Sequence, residues 1–127
     1  RTGAFVAPTI IRTPKTADIA KDMEVFGPVF PLIPFETEQE AVEIANQTCY
    51  GLSSGVMTAD MSKAVRTAKQ LQAGACILGG SGNYRLAHQP FGGYKLSGLG
   101  REGAVSTLEE MTQLKTISLK GILNGGL

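Results

Sequence analysis

The chain is 127 residues long, 43% hydrophobic and 18% charged, which suits one ordinary globular domain. Its 12 basic and 11 acidic residues leave +1, with no basic cluster longer than a pair, so neither nucleic acid nor an anionic membrane surface is expected as a partner. No apolar run approaches the roughly 18 residues needed to span a bilayer and no charged-then-apolar leader opens the sequence, while Cys49 and Cys76 are too few for a metal knuckle or disulfide framework, which together read as a cytoplasmic protein without a metal site.

Arg1 leads directly into an apolar segment, Ala4 to Ile11, which reads as a strand at a cut edge. Lys15 to Asp22 suits a helical turn. Glu24 to Phe35 is broken by Pro28, Pro31 and Pro34, so it is expected as an edge strand or extended run. Thr37-Glu38-Gln39-Glu40 is a capping box that starts a helix running to about Gln47, burying Ala41, Val42, Ile44 and Ala45, with Gly51 closing its exit. Gly55 to Thr58 is a short strand. A second helix starts behind Asp60, places Met61, Ala64, Val65, Ala68 and Leu71 on one face and stops at Gly74. Ala75 to Leu78 is another apolar strand, and this alternation predicts an α/β layer of parallel strands joined by crossover helices. A helix from Gly103 to Leu114 and an alternating strand over Lys115 to Lys120 complete the chain.

Nine of the 16 glycines lie between Gly74 and Gly103, and Gly98-Leu99-Gly100-Arg101-Glu102-Gly103 satisfies the G-x-G-x-x-G pattern of dinucleotide-binding loops. That pattern carries meaning only after a buried strand, and the preceding Gln89 to Ser97 is broken by proline and glycine. The glycines read better as a shaped loop with tight backbone passages. Cys49 and Cys76 lack a neighbouring base and read as small buried hydrophobes. His88 stands alone and suits a loop hydrogen bond rather than a general base. Arg85 follows a run of small residues after a strand's carboxyl end, where open α/β sheets place ligands; it could hold a carboxylate or phosphate, or simply pin its loop. Glu24 could accept hydrogen bonds from ligand hydroxyls, or be an exposed loop acid.

Four segments in order, EVFGPV (Glu24 to Val29), YGLSSGV (Tyr50 to Val56), PFGGYKLSGLGREG (Pro90 to Gly103) and KTISL (Lys115 to Leu119), resemble the carboxyl-terminal part of the aldehyde dehydrogenase superfamily. The resemblance implies a partial catalytic domain over residues 1–113, a strand and tail for oligomerisation over 114–127, and NAD or NADP held mainly by residues outside this chain. It implies that Glu24 bonds the nicotinamide ribose with Phe26 packing beside the ring, and that Asn83, Arg85 and Phe91 line the substrate tunnel. Residues 116–119 would join a homo-oligomer. The substrate would be a small aldehyde, and Arg85 resembles the choice of members acting on semialdehydes or phosphorylated aldehydes. Gly79-Gly80 stand where many members carry an asparagine. The family's nucleophilic cysteine, base glutamate and oxyanion asparagine lie upstream of the matched region, so no catalytic residue is assigned here and the chain alone is expected to be inactive. A stand-alone binding or assembly module of the same fold is the alternative.

Overall fold

The computed structural model of the chain describes residues 2–121, in a mixed α/β arrangement of six short strands, three α-helices and a 3-10 turn at Asp18–Ala20. β1 (Thr9–Arg12) pairs in parallel with β2 (Val29–Leu32), Thr9 opposite Val29 and Arg12 opposite Leu32. Pro31 sits inside β2 with no ladder neighbour on its second side among the described residues, as a residue without an N–H requires. The first strand starts at Thr9 rather than Ala4, because Pro8 and the turn at Thr2 to Phe5 keep the earlier residues out of the ladder.

α1 (Glu38–Asn46) begins where the capping box predicts. The Thr37 hydroxyl accepts the Glu40 N–H at 3.1 Å, and the Glu40 carboxylate reaches back to accept the Glu36 N–H at 2.8 Å. Gly51 does not close this helix. It lies instead in β3 (Tyr50–Gly51), which pairs antiparallel with β6 (Tyr94–Lys95). The helix exit is held by the Lys95 ammonium, whose Nζ donates to the Asn46 and Thr48 carbonyls at 2.7 and 2.8 Å.

β4 (Ser53–Val56), α2 (Met61–Gln70) and β5 (Ala75–Leu78) form the expected strand–helix–strand unit, with Ser53 opposite Ala75 and Val56 opposite Leu78 in parallel. Asp60 caps α2 by accepting the Lys63 N–H at 3.0 Å. α2 packs on β4 and β5, and α1 packs on α2. Val42 and Ala64 are the buried apolar side chains at this junction; Ala45, Met61 and Val65, expected inside, are exposed. The helices are tied at their rims by Glu38, which accepts from Arg66 at 2.9 and 3.1 Å and from the Thr67 hydroxyl at 3.0 Å. Among the described residues the strands thus form three two-stranded ladders.

α3 (Ala104–Glu110) is shorter than its apolar periodicity suggests. Residues 113–120 enter no ladder among the described residues and are exposed, and residues 122–127 of the expected tail lie outside the description. No described helix is long and apolar enough to cross a membrane.

Candidate functional site

The loop after β5 decides where the candidate residues gather. Gly79 turns the chain at φ +79°, its N–H donating to the Val56 carbonyl, and the following residues run back beside β4. The Ser53 hydroxyl donates to the Gly82 carbonyl at 2.7 Å, so the loop is pinned to the first residue of β4. Asn83, Arg85 and Phe91 are therefore delivered to the amino ends of β4 and β5, where with Ser53 and Ala75 they line a cavity of about 450 Å³. The sequence placed Arg85 at a carboxyl end. The reversal at Gly79 carries it to the other end.

Arg85 is held on two sides. Its Nη2 donates to Glu102 Oε1 at 2.6 Å, and its guanidinium carbon lies 4.2 Å from the centre of the Phe91 ring. Phe91 and Glu102 are locked to each other by a backbone bridge in both directions, at 2.8 and 2.7 Å. Arg85 does pin its loop, and it also faces the cavity with one of its five N–H donors committed to Glu102. The turn behind it is closed by Gln89, which accepts the Leu86 N–H at 3.0 Å.

This arrangement explains the GLGREG glycines. Gly98, Gly100 and Gly103 have φ values of +129°, +70° and +145°, where side chains are strained. The facing Gly92 of PFGG passes so close to Gly100 that an added Cβ would overlap its carbonyl oxygen and stand 2.9 Å from the Arg101 side chain. The Arg101 N–H is taken by the chain's own Glu110 at 3.1 Å. The motif is a packing device that presents Glu102 to Arg85, with no buried strand running into it.

Glu24 lines a second, open cavity of about 510 Å³ with Tyr50, Gln72 and Ser97, and the two cavities share Leu52 and Ser53. Glu24 is exposed, and its carboxylate takes no hydrogen bond among the described residues. The Cys49 side chain first and Glu24 second hold the Tyr50 phenol above its ordinary range. Phe26, by contrast, is 93% exposed and lines neither cavity.

Cys49 gives its N–H to Asp22 at 2.7 Å. Desolvation and then Asp22 push its thiol up, the opposite of what a nucleophile needs. His88 is exposed. Among the described residues no group of three His, Cys, Asp or Glu could hold a metal ion. Lys95 and Glu102 escaped the sequence reading. Both act across the fold, and only the PFGG and GLGREG segments that carry them gave any signal.

The family model described as the aldehyde dehydrogenase family matches residues 1–117. The 4-trimethylaminobutyraldehyde dehydrogenase A of Danio rerio is 44% identical over 117 residues, covering 91% of this chain and 22% of that protein. Glyceraldehyde-3-phosphate dehydrogenase GapN from Methanocaldococcus jannaschii DSM 2661, solved in complex with NADP, superposes with a TM-score of 0.84 at 41% identity, over 92% of this chain and 25% of that one. Aldehyde dehydrogenase 21 from Physcomitrella patens, solved with the reaction product succinate, superposes with a TM-score of 0.80 at 41% identity, over 87% of this chain and 23% of that one. The chain thus spans about a quarter of the length of the relatives it matches.

Proposed function

The chain belongs to the aldehyde dehydrogenase family, and from that premise we propose that it supplies the carboxyl-terminal part of the catalytic domain of an NAD(P)-dependent enzyme oxidising a small aldehyde with an anionic group to the acid. The carrying observation is the convergence of Asn83, Arg85 and Phe91 on one cavity, with guanidinium donors left over after Glu102 is satisfied. A guanidinium in that position suits a carboxylate or phosphate at the far end of the substrate. The names of the relatives span a trimethylamino aldehyde, a phosphorylated one and a succinate product, so the charge preference rests on Arg85 and not on likeness.

When bound, the nicotinamide supplies the hydride acceptor. This chain's part is positional. Glu24 would accept hydrogen bonds from the ribose hydroxyls at the mouth of its cavity, and Phe26 would pack beside the nicotinamide. Asn83, Arg85 and Phe91 would orient the substrate in the adjoining cavity. Residues 116–119, exposed and outside any ladder among the described residues, would pair with another subunit. Desolvation and then Asp22 push the Cys49 thiol up, away from what a nucleophile needs; in this reading the nucleophile belongs to a longer protein and the 127 residues alone are inactive.

The test is steady-state kinetics on the full-length enzyme with succinic semialdehyde and its uncharged methyl ester. Arg85→Ala is expected to raise KM for the acid about ten- to a hundredfold, the range of a charged hydrogen bond, and to spare the ester. Equal effects on both aldehydes would remove the anionic substrate class from the reading.

A further inference from the structure

Glu102 is placed to do more than close a loop. The carboxylate meets one edge of the Arg85 guanidinium while the Phe91 ring covers its face, and the backbone bridge between Phe91 and Glu102 fixes the two against each other. A cation facing a ligand cavity therefore has an anion of the same chain within hydrogen-bond distance. An incoming carboxylate on the remaining guanidinium donors would sit within a guanidinium's width of Glu102, and like charges that close repel even near solvent. The pair is partly open, with side-chain exposures of 42% for Arg85 and 62% for Glu102, so the repulsion is moderated by water and not abolished.

We propose that Glu102 is a specificity-determining residue: by sharing Arg85 with the substrate it lowers the cavity's preference for anionic aldehydes and lets uncharged ones compete. The proposal rests on the reading of Arg85 as the anion contact. The balance is local. In this proposal Glu102 acts on the substrate's far end through charge, by way of Arg85.

The experiment measures kcat/KM for succinic semialdehyde and its methyl ester on the full-length enzyme and compares the acid-to-ester ratio across variants. Glu102→Gln keeps size and an oxygen for the Arg85 bond but removes the charge, and is expected to raise the ratio about fivefold, through KM for the acid. Glu102→Ala, which retains the backbone bridge, should move the ratio the same way and covers the case in which the glutamine variant folds poorly. Glu102→Asp, keeping the charge, should stay near the parent. In an Arg85→Ala background the effect of Glu102→Gln on the ratio should vanish. A ratio that falls or stays level in both Glu102→Gln and Glu102→Ala overturns the proposal, as does an equal loss for acid and ester, the mark of a purely structural residue. If Arg85→Ala alone leaves the parental ratio unchanged, the anion-contact reading fails, and this inference falls with it; a ratio that responds to Arg85 but not to Glu102 defeats only the inference.

Discussion

Separating these 127 residues from the rest of a longer polypeptide is expected to abolish cooperative folding. The chain exposes 10193 Å² at 13.4 kDa. A compact monomer of that mass exposes about 6,500 Å², so the excess is about 3,700 Å², more than twice the roughly 1,600 Å² of a standard protein interface. Much of that surface is apolar and contiguous with structure. Ile10, Phe30 and Leu32 stand uncovered on the β1–β2 ladder, Val105 and Leu108 on α3, and Met111 at its C-cap. Two strands alone are marginal in water, and a ladder with bare apolar faces needs a neighbour. Calorimetry and sedimentation of the isolated chain are therefore expected to show self-association and no sharp heat-absorption peak, with strong binding of an apolar dye. A monodisperse 13.4 kDa monomer with a single sharp transition would refute the reasoning, because it would mean that the uncovered faces cost the fold little.

Gly92→Ala in the full-length enzyme should destabilise by about 1–3 kcal/mol in denaturant titration, since the obstacle is the Gly100 backbone; Gly27→Ala, with nothing within 4 Å of its added Cβ, serves as the near-neutral control. The Glu38 carboxyl is held below its ordinary range by the Arg66 and then the Thr67 hydrogen bonds, so the unfolded chain binds the extra proton and stability rises with pH. Its contribution is complete above the unfolded value of about 4 and is lost as pH falls through the lower folded value. Melting curves of Glu38→Gln in the full-length protein should therefore lose part of the acid dependence below about pH 4 and match the parental slope at neutral pH; unchanged acid dependence would mean that the α1–α2 tie is not felt in solution.

What the sequence made legible was what depends on neighbours in the chain. Thr37 and Asp60 start their helices because caps are read within three residues, and the β4–α2–β5 unit follows from an alternation of apolar periods. What it hid depends on distant partners. Gly51 and Gly74 look like helix stops, yet each is a glycine because another backbone passes over it, Gln72 in one case and Gly92 in the other. Lys95 takes a left-handed backbone at φ 52° while its side chain crosses to the end of α1, a pairing no local pattern announces.

The same division runs through the site. Arg85 could be singled out from its segment, and Asn83 and Phe91 from the resemblance that segment carries, but their meeting at the amino ends of two strands is a consequence of the Gly79 reversal. Three glycines with positive φ, spaced as in a phosphate loop, here shape a turn whose product is one carboxylate against one guanidinium. A spacing pattern records that the backbone must bend sharply. What the bend serves is settled by which side chain it delivers, and here it delivers Glu102, an anion, to a cation at the cavity wall. That is the reverse of a phosphate cradle, whose outward-facing N–H groups wait for an anion from solution; in this chain the Arg101 N–H is already spent on Glu110.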